Sequence, residues 1–188
     1  MPALVATTFR VRLASMGSAK KAPGRTAIEQ ISDSLAPSLD YSALPPAVAR
    51  IRTRILQSVA GRDIDDLLIP IQWNEVPPLF ARGQPQGLDP IAFLKSRSFD
   101  GKGHEMLAII GAVFRQAYAM QNRGGSITFL WPQFPVVPER EPLPRERLAS
   151  WRCVRFADLA RRDPGGGPLI HRTSIGIDGT WHYFWAEA

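Results

Sequence analysis

Between Pro46 and Gly61 the apolar residues Val48, Ile51, Ile55, Leu56 and Val59 recur at the spacing of one helical face. The stretch therefore predicts a buried amphipathic helix starting near Pro45-Pro46. Gly61 is expected to end it in the left-handed conformation. Asp63 can then cap a second short helix through Leu68, with Asp65 and Asp66 in its first turn, and Pro70 should stop it. Asp89-Pro90 opens a further helix anchored by Ile91, Phe93 and Leu94. The broadest apolar face runs from His104 to about Gln121 through Met106, Leu107, Ile109, Ile110, Val113, Phe114, Ala117 and Tyr118. Such a face belongs in a core.

Other stretches carry strand and loop signals. Ile71–Val76 reads as a short edge strand, because the prolines around it exclude a regular helix and a central strand. Asn122-Arg-Gly-Gly is a turn, and the β-forming run Ser126–Trp131 follows it. Residues 132–144 hold five prolines and predict an extended loop. Leu143–Arg162 reads as a helix, and Asp163-Pro-Gly-Gly-Gly-Pro as a flexible turn. At the C-terminus, Leu169–Ile177 and Thr180–Ala186 flank Asp178-Gly179, which predicts a type I′ hairpin. That register sets Ile177 opposite Thr180, His171 opposite Ala186 and His182 opposite Ile175. A short helix is also predicted at 26–35. Helices followed by strand, helix and hairpin argue for an α+β fold, with helices packed on a small, mostly antiparallel sheet ending in a C-terminal β-hairpin. The predicted organisation is a basic tail or leader at 1–28, a short helix and linker at 29–43, and one domain over 44–188.

Charge changes this picture only locally. The 188 residues include 23 Lys and Arg and 17 Asp and Glu, for a formal net charge of +6. Arg10, Arg12, Lys20, Lys21 and Arg25 lie in the first 28 residues, which hold no acid. The remaining 18 basic residues sit beside all 17 acidic ones. A near-neutral body carries no overall basic footprint for nucleic acid. Arg50, Arg52 and Arg54 form its densest basic cluster and read as a solvated helix face. Met1–Phe9 is mildly apolar, but Arg10 and Arg12 follow it, the reverse of a secretory signal. A disordered tail, a signal and a transit peptide all stay open. The chain has one cysteine, so no intrachain disulfide forms, and no run is apolar enough to span a membrane.

Candidate chemistry is sparse. Asp100-Gly-Lys-Gly-His-Glu is the most concentrated polar group, and Asp100, His104 and Glu105 are the candidate catalytic residues. The glycine loop entering a helix could receive an anion on its backbone N–H groups; the alternative is that Asp100 caps the helix. It is neither a Walker loop nor a dinucleotide fingerprint. His104, His171 and His182 lack metal-ligand spacing, so no metal or cofactor is expected. Cys153 reads as a buried structural thiol. Trp73, Glu75, Trp131 and Trp181 are the candidate ligand-binding residues, the tryptophans by stacking and Glu75 as a carboxylate at a loop.

Five segments together carry a resemblance over residues 44–188. They are Trp73-Asn-Glu-Val-Pro-Pro, Asp89-Pro-Ile-Ala-Phe-Leu-Lys, Ser98-Phe-Asp-Gly-Lys-Gly-His-Glu-Met-Leu-Ala-Ile-Ile, Phe129-Leu-Trp-Pro-Gln-Phe and the closing Ser174-Ile-Gly-Ile-Asp-Gly-Thr-Trp-His-Tyr-Phe-Trp-Ala. In this order they resemble a family of bacterial proteins usually made with an export signal. The resemblance implies export and supplies no activity, cofactor or catalytic residue. This chain closes Ala186-Glu187-Ala188, where that family tends to end in Gly-Asp. Three function classes follow. A non-catalytic exported or envelope-associated binding or structural protein, with a small ligand or a protein as partner, fits a chain without a catalytic constellation. A small-pocket enzyme or ligand carrier, on an α+β cone of the nuclear-transport-factor type, would use Asp100, His104 and Glu105. A binder of anionic surfaces or nucleic acid would act through residues 1–28.

Overall fold

The apolar stripe that begins at Val48 folds as α1 (Pro46–Gly61) and buries Val48, Ile51 and Ile55. The computed structural model describes residues 38–133, 144–162 and 168–186. The expectations for 1–28, for a helix at 26–35, for most of the loop at 132–144 and for the turn at 163–167 lie outside these residues. Helix α1 runs through Gly61, and it is Arg62 that adopts the left-handed conformation (φ 62°). A Cβ on Gly61 would sit 3.1 Å from an Asp66 carboxylate oxygen, so glycine there answers crowding rather than chain reversal. Asp63 accepts a hydrogen bond from Asp65 N, and a 3-10 turn at Asp65–Leu67 leads straight into α2 (Leu68–Gln72). Pro70 does not stop this helix. It lies in the first turn, where its missing N–H is not needed. The edge strand expected at 71–76 is therefore absent: Ile71 and Gln72 are helical, and the chain turns after them.

Helix α3 (Pro90–Arg97) is capped as expected, Asp89 accepting from Ile91 N and Ala92 N at 2.9 and 3.1 Å. Helix α4 (His104–Phe114) ends seven residues short of Gln121. Ala119–Arg123 instead forms β1, paired antiparallel with β2 (Ser126–Trp131). Gly124 and Gly125 both have positive φ (59° and 87°), the two-residue type I′ geometry. Helix α5 covers Pro144–Ser150 alone; the rest of the predicted 143–162 helix is two 3-10 turns, Trp151–Cys153 and Phe156–Asp158, separated by extended Val154 and Arg155.

The C-terminal hairpin pairs β3 (His171–Gly176) with β4 (Trp181–Ala186). Its turn is not type I′, since only Gly179 has positive φ (91°). Gly179 N donates to Gly176 O, and Gly176 N donates to Thr180 O. These are the bonds of a three-residue loop. The extra loop residue shifts the register, and a bulge at His182 restores it. His171 faces Ala186 as expected, but Ile175 faces Trp181 rather than His182.

The sheet order is β1-β2-β3-β4, antiparallel throughout, so the α+β reading holds. Both edges are partly covered, which blunts edge-to-edge pairing. Leu79 bonds to His182 and Phe184 beside β4, and Ser38 exchanges two backbone bonds with Tyr118 before β1. The folded domain thus includes Ser38, upstream of the expected boundary at 44. Helices α1 and α4 and the sheet share one core, in which Phe114 meets Trp131 at 5.4 Å and Trp181 at 6.3 Å between ring centroids. No helix among the described residues is long and apolar enough to cross a membrane.

Candidate functional site

The sequence candidates at the start of α4 are joined, but by loop-closing bonds. Asp100 Oδ1 accepts from Lys102 N and Gly103 N at 3.1 Å each, and Oδ2 pairs with His104 Nδ1 at 2.7 Å. Partial desolvation works against the Asp100 carboxylate, yet the bonds from Lys102, His104 and Gly103 hold it below the ordinary range. The N-cap position belongs to Gly103 (φ 91°), not to Asp100. Ser98 supplies the capping oxygen, accepting from Met106 N at 3.1 Å. Glu105 points elsewhere: Oε2 accepts from Phe99 N at 2.8 Å and Oε1 from Phe156 N at 2.5 Å. Both of its oxygens fasten one loop to another.

The aromatic candidates divide by burial. Trp131 and Trp181 are fully buried core residues, which corrects the expectation that they stack on a ligand. Trp181 Nε1 donates to Thr173 Oγ1 at 2.8 Å, and its backbone N–H to Asn74 Oδ1 at 2.8 Å. Trp73 is half exposed on a shallow groove, with the Arg50 guanidinium 5.7 Å from its ring centroid. Glu75 is exposed on the turn after α2 and does not line that groove. Cys153 is buried in a 3-10 turn, and burial pushes its thiol up to about 12. Among the described residues, no group of three or more His, Cys, Asp or Glu side chains is placed to hold a metal ion.

A different set of residues converges on a cleft of about 400 Å³. Its walls are the segment Phe80–Arg82, helix α3 (Phe93, Arg97), Met106 of α4, the turn bearing Arg155, Asp158 and Arg161, and His171, Trp185 and Ala186 at the far end of the hairpin. Among the described residues, four arginines line it against one carboxylate. The buried Arg155 donates to Asp158 Oδ2 from Nε at 2.7 Å, with Nη2 2.5 Å from the same oxygen, and Nη1 reaches the Arg97 carbonyl at 3.2 Å. Arg161 Nη1 holds Asp158 Oδ1 at 2.9 Å, its own side chain more than half exposed. The Arg97 guanidinium lies 5.9 Å from the Phe93 ring centroid and makes no ion pair among the described residues.

Burial would raise the Asp158 carboxyl, but the bonds from Arg161 and Arg155 and their charges hold it below the usual range. Arg97 shifts down, first by desolvation and then by repulsion from Arg155. His171 is buried and stacked on Phe184, and the Cys153 carbonyl lies 3.1 Å from its Nδ1. A carbonyl only accepts, so the ring proton sits on Nδ1. Desolvation pushes its pKa down to about 4, leaving the ring neutral near pH 7. Among the described residues the lining thus carries more guanidiniums than carboxylates, beside the apolar walls of Phe80, Phe93, Met106 and Trp185.

None of these arginines is a sequence candidate. Arg82 and Arg97 stand far apart along the chain from each other and from Arg155 and Arg161. The local hint is the stretch 145–163, which holds six arginines against three acidic residues. No protein-family model, curated protein or solved structure matches the chain.

Proposed function

We propose that this is a small non-catalytic binding protein whose arginine-lined cleft takes an anionic ligand carrying a phosphate or carboxylate group. The observation that carries the reading is the convergence of Arg82, Arg97, Arg155 and Arg161 on one cleft with Asp158 as the only carboxylate in its lining among the described residues. Guanidinium forks match the oxygens of phosphate and carboxylate in pairs. Asp158 ties Arg155 in place and steadies Arg161, while Arg97 makes no ion pair among the described residues. The repulsion that Arg97 feels from Arg155 is relieved by an anion placed between them. The apolar walls suit a ligand with an uncharged body. The catalytic reading of Asp100, His104 and Glu105 gains no support from their geometry, since their carboxylate oxygens close the loop and none of the three lines the cleft.

Calorimetric titration with inorganic phosphate, glycerol phosphate and citrate tests this. Saturable binding that weakens with salt, and about tenfold in Arg97→Gln and in Arg161→Gln, is the expected result. Binding absent for all three anions, or unchanged in both variants, overturns it.

A further inference from the structure

Beside the cleft, the protein presents two bare phenyl rings on a braced support. Phe99 and Phe156 are 74% and 70% exposed, and their ring centroids lie 6.3 Å apart. Single exposed apolar residues are common on protein surfaces. These two differ because their backbones are fixed to each other: the two oxygens of Glu105 accept from the N–H groups of both phenylalanines. One carboxylate thus sets the spacing of two loops that are otherwise far apart in sequence. The same loops build the cleft. Phe99 lies two residues past Arg97, and Phe156 directly follows Arg155. Leu148, Trp151 and Leu159, exposed at 67%, 44% and 41%, flank Phe156 along the chain.

Resting on the anion-binding reading above, we infer that this face docks on an anionic phospholipid surface, the rings of Phe99 and Phe156 entering the interfacial layer while the arginine cleft holds a phosphate headgroup. Charge complementarity selects this occupant. Apolar rings alone would fit any hydrophobic partner, and arginines alone any anion. A bilayer containing anionic lipid offers both at once, with phosphate outermost and acyl chains beneath it. Phe99 and Phe156 follow Arg97 and Arg155 within two residues along the chain, so rings that enter the interfacial layer keep the cleft, with its more exposed Arg161, close to the phosphates. Trp185 at the cleft wall has the amphipathic ring that favours the same interfacial layer. Glu105 is a positioning residue here, holding the rings without touching lipid.

The test is co-sedimentation of the full chain with phosphatidylcholine vesicles prepared with and without phosphatidylglycerol, alongside calorimetry with soluble glycerol phosphate. The expected result is binding only to vesicles that contain phosphatidylglycerol. It should fall about tenfold or more in the double variant Phe99→Ser/Phe156→Ser, while that variant keeps its glycerol phosphate affinity. Arg97→Gln should weaken both. Vesicle binding that survives the double substitution overturns the inference. Binding of glycerol phosphate without any binding to vesicles also overturns it, leaves the anion reading standing and assigns the phenyl pair to a protein partner. Failure of both probes removes both readings.

Discussion

Glu105 accepts a hydrogen bond from the backbone N–H of Phe156, 51 residues further along the chain, at 2.5 Å. Its other oxygen takes the N–H of Phe99 at 2.8 Å. A carboxylate that receives two backbone donors contributes about 1.5–3 kcal/mol per bond where it is shielded from water, and less where it is partly exposed, as here. Glu105→Ala should therefore destabilise the protein by about 2–3 kcal/mol in urea unfolding. Glu105→Gln keeps one good acceptor and should lose about half of that. Hydrogen exchange gives the sharper reading: the amides of Phe99 and Phe156 should lose protection together in either variant. Protection lost at one amide alone would show that the loops are not held as a pair.

Among the described residues Asp158 is the only carboxylate lining the arginine cleft, and its removal takes away the carboxylate that pairs with the buried Arg155 guanidinium. Breaking such a pair from one side costs about 3–5 kcal/mol. Asp158→Asn should show a loss of that order at pH 7. The pH dependence has a fixed sign. The folded carboxyl is held below its ordinary value of 3.8, so its contribution is complete above that value and disappears as pH falls through the folded pKa. The natural protein should lose stability steeply below about pH 4. In Asp158→Asn the part of this acid slope due to Asp158 should be missing; an unchanged slope would assign it to other carboxylates.

His171 produces a second and separate window. Its folded pKa of about 4 lies below the ordinary 6.5, so between those values the unfolded chain binds a proton that the folded chain refuses. Stability therefore falls as pH drops from 6.5 towards 4, by roughly 3 kcal/mol in full. His171→Phe preserves the stacking on Phe184 and removes the titrating group. It should flatten the stability curve across this window while leaving the steeper fall below pH 4. Urea unfolding of both proteins at intervals from about pH 3 to 7 separates the two contributions. A slope retained in the variant would place the titration elsewhere.

These groups show what the linear pattern could and could not convey. Helix α1 was legible because Val48, Ile51 and Ile55 repeat at the helical period, and β2 because Ser126–Trp131 is β-rich after a glycine turn. Helix α4 was read too long because Ala117 and Tyr118 continue its apolar spacing. The type I′ turn at Gly124-Gly125 settles the conflict, since it gives β2 its partner in Ala119–Arg123. Local preference for helix yields there to strand pairing. The aspartate at the start of α4 was noticed, but Ser98 and Gly103 share the capping that it suggested. The cleft was not legible as a site: residues 145–163 are locally basic, but the four arginines meet only after α3, the 3-10 turns and the hairpin have packed.

Arg52 shows the same limit within one helix. Its neighbours Arg50 and Arg54 lie on the outer side of α1, and the three together read as a solvated basic face. Arg52 instead donates from Nε and Nη2 to the carbonyl of Phe114, at 3.1 and 2.8 Å. Phe114 is the last residue of α4, where carbonyls lack intrahelical partners and the dipole favours a cation. The guanidinium also lies 3.6 Å from the Tyr41 ring centroid, and the Tyr41 hydroxyl donates to the carbonyl of Gln116. One side chain of α1 thus closes α4 and fastens the entering segment. Arg52→Ala should cost about 2–3 kcal/mol, combining the charged cap with the ring contact. Arg52→Lys keeps the charge but not the two-pronged geometry, and should cost about 1–2 kcal/mol. Arg50→Ala, which loses only a contact with the half-exposed Trp73, should stay within about 0.5 kcal/mol of the natural protein. Urea unfolding ranks the three. Equal values for the alanine variants at 50 and 52 would refute the capping role, and an Arg52→Lys protein as stable as the natural one would reduce it to charge alone.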